Sequence, residues 1–310
     1  MTLEQLRIFI AVAEREHLTR SAEALRLTPS AVSAAIRALE DRYGVMLFNR
    51  IGRRIEVTDA GRIFLDEARA VLTRAQAAEL ALAELGDLKR GSLRIHASQT
   101  IASYWLPPYL ARFHAAYPAI DVSLAVGNTQ SVARATLEGE ADIGFVEGAV
   151  DDPALLTQHI AEDRMIAVIA PSHPWADRRE VTWKEAAGAH WIMREPGSGT
   201  RSVFENAARA QGLDPLALKV SLELPSNEAV LSAVQSGPYA AVLSELAAAP
   251  HLATGRLIKA NFSLPQRRFL LLSHRERYRS RAFHSFVDLL LNEGARLSES
   301  RQSALSPESR

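Results

Sequence analysis

Residues 18–43, LTRSAEALRLTPSAVSAAIRALEDRY, constrain the fold more than any other stretch of this chain. Two short helical patterns flank a tight break at Arg26-Leu27-Thr28. Thr19 is placed to cap the first helix. Thr28 is placed to cap the second, with Pro29 in its first turn, where a missing N–H costs nothing. Ala22, Ala24 and Leu25 on the first helix, and Ala31, Val32, Ile36 and Leu39 on the second, predict a compact apolar seam. Small residues let two helices approach closely, as a helix-turn-helix requires. The second helix then turns Ser30, Ser33, Ala34 and Arg37 outward, a slim face of the kind that enters a DNA major groove.

The next segment extends this reading. Gly44 is placed to end the helix, and VMLFNRIGRRIEVT (45–58) reads as a two-stranded wing. Leu47-Phe48 and Ile55–Val57 are the strands, and Gly52 makes a tip flanked by Arg50, Arg53 and Arg54. Arginines on a glycine turn suit phosphate contact and minor-groove insertion. The alternative is a solvated basic hairpin; its position directly after a helix-turn-helix favours the wing.

Residues 1–61 resemble the N-terminus of the LysR-type transcriptional regulators. The likeness is carried by LEQLRIFIAVAE, LTRSAEAL, SAVSAAIRALE, LFNR and VTDAG, in that order and at that spacing. Length and later organisation extend it to the whole chain. The family often carries a long polar residue where this chain has Pro29, and again where it has Ala34. Base readout is therefore expected to be thinner here, with more weight on DNA shape. The expected DNA-contacting set is Thr28, Pro29, Ser30, Ser33, Ala34, Arg37, Arg50, Arg53 and Arg54.

Composition bounds the partners. At 310 residues with 47% hydrophobic content, the chain can bury more than one core. The formal net charge is 0, which argues against indiscriminate nucleic-acid binding but not against a local basic site. Over residues 15–62 arginines outnumber acidic residues, and the excess clusters at the wing. So small a footprint implies binding as a dimer or higher oligomer. The absence of cysteine excludes disulfides, thiolate zinc sites and thiol redox sensing. The nine histidines form no metal-binding pattern. No nucleophile motif, P-loop or paired catalytic carboxylates stand out, so neither an enzyme nor a cofactor is expected. No apolar run reaches membrane-spanning length, and the first helix is charged and amphipathic. A cytoplasmic location is expected.

Thr58-Asp59 predict the start of a helix running to about Asp87. Phe64, Ala68, Val71, Ala75, Ala78, Leu82 and Leu85 recur at alternating steps of four and three, a heptad seam. The expectation is a coiled-coil homodimer carrying two DNA-binding heads; the family uses its linker helix this way, and the resemblance further implies a dimer of dimers. Gly86 and Lys89-Arg90-Gly91 make the hinge.

From Ser92 strands and helices alternate, which predicts a parallel-rich α/β sheet. SLRIHA (92–97), DVSLAV (121–126), ADIGFV (141–146), MIAVIA (165–170), WIM (191–193), KVSLEL (219–224), AAVL (240–243) and RRFLLLS (267–273) are the strands. The intervening helices fall at about 101, 131–137, 200–211, 227–236 and 281–293. The resemblance implies two lobes folded like a periplasmic binding protein, with crossings near Ala161–Arg164 and Phe262–Pro265. The expected organisation is an α/β chain: a winged helix-turn-helix at 1–58, a linker helix and hinge at 59–90, and an effector domain at 91–294. Lobe I would hold 91–162 and 265–294, and lobe II 163–264. The Ser-rich tail, 295–310, is expected to be disordered.

In such folds ligands sit at strand carboxyl ends and helix N-termini. Three segments fit: Ser98-Gln99-Thr100, Asn128-Thr129, and the glycine-rich Glu195–Arg201. In the last, two glycines expose backbone N–H groups, Ser198 and Thr200 add hydroxyls, and a helix end contributes partial positive charge. Its SGTR element resembles the regulators of sulfur assimilation and carbon-fixation operons within the family. Each segment also reads as an ordinary helix cap. Taken together they predict a small anionic metabolite or oxyanion as effector, bound by Ser98, Gln99, Thr100, Asn128, Thr129, Ser198, Gly199 and Thr200. Glu147 and Arg194 could serve the cleft or pair across it, and Trp105, Trp191 and Met193 read as core or pocket lining. The leading function is a ligand-responsive DNA-binding transcriptional regulator. The alternative is a solute-binding or enzymatic two-lobed protein whose N-terminal domain serves only assembly.

Overall fold

The computed structural model describes residues 1–51, 54–85, 91–177 and 179–304, with residues 50, 51, 54, 76, 77, 80, 81, 83–85 and 293–304 described in backbone alone. Contacts divide the chain into Met1–Asp87 and Leu88–Arg310.

The N-terminal unit is α1 (Leu3–Arg15), α2 (Leu18–Leu25), α3 (Pro29–Tyr43), a hairpin of β1 (Phe48–Ile51) and β2 (Arg54–Val57), and α4 (Asp59–Leu85). Leu6, Phe9, Val12, Ala22, Val32, Ile36, Leu39 and Phe48 form its core. Thr28 caps α3 as expected, its hydroxyl accepting the Ala31 N–H at 3.2 Å. Thr19 does not cap α2. His17 does, its Nδ1 accepting the Arg20 N–H at 3.3 Å, because the helix begins one residue earlier, at Leu18. Ala24 and Ala31 are exposed and lie outside the seam, which Ala22, Val32, Ile36 and Leu39 close with half-buried Leu25 packed against them. The hairpin pairs Phe48 with Val57 and Ile51 with Arg54; its tip, Gly52-Arg53, lies outside the described residues.

Thr58 starts α4 by accepting the Gly61 N–H (3.0 Å) while donating to the Met46 carbonyl (2.9 Å). Gly61 has a steric reason. A Cβ there would stand 2.3 Å from the Leu47 carbonyl oxygen, so only glycine lets α4 seat against the wing. The heptad seam does not survive as one stripe. Phe64 packs tilted against Phe9 (centroids 4.8 Å apart) and Ala68 is buried in the same core, whereas Val71, Ala78 and Leu82 are exposed and Ala75 is half-buried. The first turns of the stripe complete the core of their own unit; Leu85's side chain lies outside the described residues.

The second unit begins with β3 (Gly91–Ser98), a π-helical turn at Ile101–Trp105, α5 (Pro107–Ala116), β4 (Ile120–Gly127), α6 (Thr129–Glu138) and β5 (Ile143–Glu147). Then come β6 (Leu155–Ile169), α7 (Trp183–Gly188), β7 (His190–Arg194), α8 (Gly199–Ala210), β8 (Lys219–Leu224), α9 (Asn227–Val234) and β9 (Ala240–Ser244). It closes with α10 (Glu245–Ala253), β10 (Ile258–Lys259), β11 (Gln266–His274) and α11 (Arg281–Ala304). The strand order is β4-β3-β5-β11-β6-β9-β7-β8, with β10 on β6. Pairs β3/β4, β3/β5, β7/β8 and β7/β9 are parallel, and those of β6 and β11 are antiparallel.

The crossing between lobes is one continuous strand. Residues up to Arg164 of β6 pair with β11, and from Met165 the same strand pairs with β9. Each lobe has its own core, one around Phe113, Phe145, Phe269 and Phe286, the other around Trp175, Trp191 and Phe204. Trp191 and Met193 are core residues, and Trp105 packs half-buried on the first core. The expected disordered tail is helical as far as Ala304, since Gly294 is followed by the helix formers Ala295, Arg296 and Leu297 and does not end α11; residues 305–310 lie outside the described residues.

Candidate functional site

Two sites emerge, one in each unit. In the first, Val32, Ile36 and Leu39 anchor the inner side of α3, so the opposite side is free. Thr28, Pro29, Ser30, Ala34 and Arg37 are exposed there and Ser33 is half-buried. The spacing 30, 33, 34, 37 places these on one face. The side chains of Arg50, Arg53 and Arg54 lie outside the described residues, but the wing's base does not. Glu40, buried on α3, accepts N–H bonds from Leu47 (2.9 Å) and Phe48 (3.1 Å). Glu16, at the left-handed end of α1 (φ 46°), accepts the Val57 N–H at 3.2 Å. Two carboxylates thus fix the base of the hairpin to the helices that carry the exposed face. Neither was singled out from sequence; Glu40 occupies an inward-facing helical position, the one signal available.

The second site lies where β3, β5, β6 and β11 meet the N-termini of α6 and α8. Ser98 is buried and donates to Glu147, whose carboxyl is itself 2% exposed. Arg267, 4% exposed, is the centre of the cluster. Its Nε donates to Asp163 at 2.6 Å, its Nη1 donates to the Thr200 hydroxyl at 3.0 Å and lies 3.5 Å from Glu147, and its Nη2 reaches the Thr100 hydroxyl at 3.4 Å. Asp163 also accepts from Ser244 at 2.7 Å. Burial pushes the Glu147 carboxyl above the usual carboxylate range, with the Arg267 charge and the Thr100 hydroxyl pulling the other way.

Of the expected effector residues, Ser98, Thr100 and Thr200 converge on this cluster. Thr129 reaches it through the backbone, donating to the Glu147 carbonyl at 2.6 Å. Ser198 is buried at the N-cap of α8 without a side-chain capping bond. Gly199 serves packing more than ligand exposure: a Cβ there would stand 1.8 Å from the Glu147 carbonyl oxygen. Gln99 and Asn128 stand apart from the cluster and bridge the lobes. Gln99 accepts the Asn227 N–H (2.7 Å) and donates to Glu228 (2.6 Å), while Asn128 caps α6 and donates to Glu195 (3.3 Å). Tyr104 also donates to Glu228 at 2.7 Å. Burial opposes the charge on Glu228, but the Tyr104 and Gln99 hydrogen bonds outweigh it and hold the carboxyl below its ordinary range.

Glu147 and Arg194 do not pair with each other. Glu147 turns to Arg267, and Arg194 forms a two-pronged bond with its neighbour Glu195 (2.8 and 3.0 Å) and donates to Asn227 at 2.7 Å. Sequence reading missed Arg267 and Asp163. A signal existed: Arg267 shares strand parity with buried Phe269 and Leu271, so it had to point inward. Among the described residues no group of His, Cys, Asp and Glu could hold a metal ion, and no helix is long and apolar enough to cross a membrane.

Comparison with known proteins bears on both units. Residues 3–62 match the model of the bacterial regulatory helix-turn-helix protein, lysR family, and residues 86–295 match the LysR substrate binding domain. The HTH-type transcriptional regulator YeiE of Escherichia coli K12 is 36% identical over 290 residues, 93% of this chain and 96% of that one. The probable RuBisCO transcriptional regulator of Phaeodactylum tricornutum is 34% identical, covering 93% and 96%. Full-length CbnR, solved in complex with its target DNA, superposes with a TM-score of 0.68 at 21% identity, over 95% of this chain and all of that one. The regulatory domain of Synechocystis PCC6803 CcmR, solved in complex with 2-PG, covers 66% of this chain and 98% of its own, with a TM-score of 0.61 at 28% identity.

Proposed function

The chain belongs to the lysR family of bacterial helix-turn-helix regulators, and from that premise we propose that it controls transcription in response to a small anion held between the lobes of its α/β domain. The family assignment makes it a DNA-binding regulator with an effector-binding domain. The observation that carries the anion reading is the buried Arg267 guanidinium, ringed by the Thr100 and Thr200 hydroxyls from opposite lobes. The N-termini of α6 and α8 add partial positive charge from both sides. The 2-PG bound by CcmR is an anion of the same kind. A ligand bridging two lobes shifts their arrangement only by its differential affinity for the two states. We read the protein as cytoplasmic and non-enzymatic, and as needing no cofactor beyond this effector.

A gel shift with a partly palindromic operator, with and without sulfate, shikimate or 2-phosphoglycolate, tests the proposal. An anion should change the shift, and no response to any anion alongside a response to a neutral apolar compound would remove the anionic effector. Sequence preference should track Ser33 and Arg37, and salt dependence should track the wing. Arg53→Ala with Arg54→Ala should weaken binding and flatten the log–log salt slope by about 1 for every phosphate no longer neutralised. An unchanged slope would take the wing off the DNA.

We also propose a homodimer through α4, assembled further into a dimer of dimers. The exposed apolar side chains Ile63 (72%), Val71 (42%) and Leu82 (71%) support an unfilled contact surface on this helix. Val71→Asp would bury an unpaired charge there, at several kcal/mol, roughly. Sedimentation should show a smaller species, and an unchanged mass with normal DNA binding would relocate the interface.

A further inference from the structure

Asp163 and Arg267 form a close ion pair, with both Asp163 oxygens engaged: one by Arg267 at 2.6 Å, the other by Ser244 at 2.7 Å. Glu147 is therefore the surplus carboxyl of the cluster. Its side chain sits among the groups an anion would use, taking a hydrogen bond from Ser98 and lying 3.5 Å from Arg267 Nη1. We infer that Glu147 is a built-in occupant of the anion site, and that an anionic effector binds only with the Glu147 carboxyl protonated, one proton being taken up for each anion bound.

The charge balance requires this coupling. Each element packed against Glu147 presents defined groups to it. From β3 comes Ser98, with Thr100 just beyond; β11 presents Arg267; β6 presents Asp163; α6 and α8 present Thr129 and Gly199 to its backbone. Arg267 is the one cation among these groups, and Asp163 already neutralises it. An incoming anion beside an ionised Glu147 would leave two uncompensated buried charges within a few ångströms, in a site where such repulsion is weakly screened. Protonation removes one of them, and the neutral carboxyl gains an O–H that can donate to the effector. Burial already favours that neutral form. The site then reports pH and anion concentration jointly, since above the Glu147 titration the apparent dissociation constant rises tenfold per pH unit.

This inference rests on the anion reading above, and the experiment separates the two. The full chain is titrated by calorimetry with sulfate, shikimate and 2-phosphoglycolate from about pH 5.5 to 8.5, in buffers of different ionisation enthalpy. Sulfate and shikimate keep a constant charge over this range, so any proton absorbed on binding is taken up by the protein. For wild type we expect tenfold weaker binding per pH unit on the alkaline side and one proton absorbed per anion. Glu147→Gln keeps the shape and removes the proton, and should bind the same anions more tightly than wild type at the alkaline end, with no pH slope. Equal slopes in wild type and variant, or no proton uptake by wild type, would overturn the inference and leave the anion reading standing. Failure of every probe in both proteins at every pH would overturn both. The wild-type proton count decides the matter even where the variant folds poorly.

Discussion

Arg267→Leu should be the most damaging single change in the effector domain, costing roughly 3–5 kcal/mol, the range for breaking a buried ion pair from one side. The guanidinium is 4% exposed and is the counter-charge to two buried carboxyls, Asp163 and Glu147. Without it Asp163 is a buried charge with no partner, and Glu147 loses the cation that favours its ionised form. The sign of the pH dependence follows. Burial already raises Glu147, and Arg267 was the largest influence lowering it. In the variant its folded-state pKa therefore rises further above the unfolded value, so the carboxyl's contribution is retained in acid and lost as pH rises through the folded value. Arg267→Leu should come nearest to wild type in mild acid and fall away toward alkaline pH. Adding Asp163→Asn and Glu147→Gln removes both orphaned charges and should recover most of the loss. Urea unfolding followed by tryptophan fluorescence isolates the domain, because Trp105, Trp175, Trp183 and Trp191, all four tryptophans of the chain, lie in it. A loss below about 1 kcal/mol, the scale of an exposed pair, or one independent of pH, would mean that the cluster is not the charged unit described here.

The contrast between what the sequence discloses and what it hides follows from range. Helix caps and strand runs are local, so α3, its Thr28 cap and the β8 strand can all be read within a few residues, whereas the crossing at Arg164 came from the family resemblance. The hydroxyls of Ser98, Thr100 and Thr200 were legible because strand ends and helix starts are local features too. Arg267 and Asp163 were not, since their partners lie 104 positions apart in the chain and the antiparallel β6/β11 pairing that joins them is not a local signal. The heptad seam was legible only in part for a related reason. Periodicity shows that Phe64 and Ala68 face something apolar, but not that the apolar surface is Phe9 of the same unit. The Pro29 and Ala34 positions remain consistent with sparse base readout, because both are exposed and neither offers a long polar side chain.

Gly199→Ala is expected to uncouple the lobes while sparing the winged helix. The backbone at Gly199 is not left-handed, so conformational freedom is not what glycine supplies here. Close approach is. The added Cβ would stand 1.8 Å from the Glu147 carbonyl oxygen and 2.7 Å from Thr129 Oγ1, and the nearer of these is backbone in a buried strand, which cannot turn away. The N-terminus of α8 must move back, and with it Thr200, whose hydroxyl accepts from Arg267. Overpacking of this kind costs about 1–3 kcal/mol. The larger consequence is functional: a ligand gripped by groups from both lobes loses part of that grip, and losing one charge-assisted bond of about 1.5–3 kcal/mol weakens binding roughly tenfold or more. Gly188→Ala is the matched control, since a Cβ there meets no atom within 4 Å. In thermal-shift titrations with the anion probes, Gly199→Ala should melt lower and respond weakly, and Gly188→Ala should behave as wild type. Gel shifts without effector should be the same for all three, because Gly199 belongs to the Leu88–Arg310 unit and the winged helix to the other. A Gly199→Ala protein with a wild-type melting temperature and a full anion response would show that this close approach opens freely, and the lobe junction would then lose its place as the anion site.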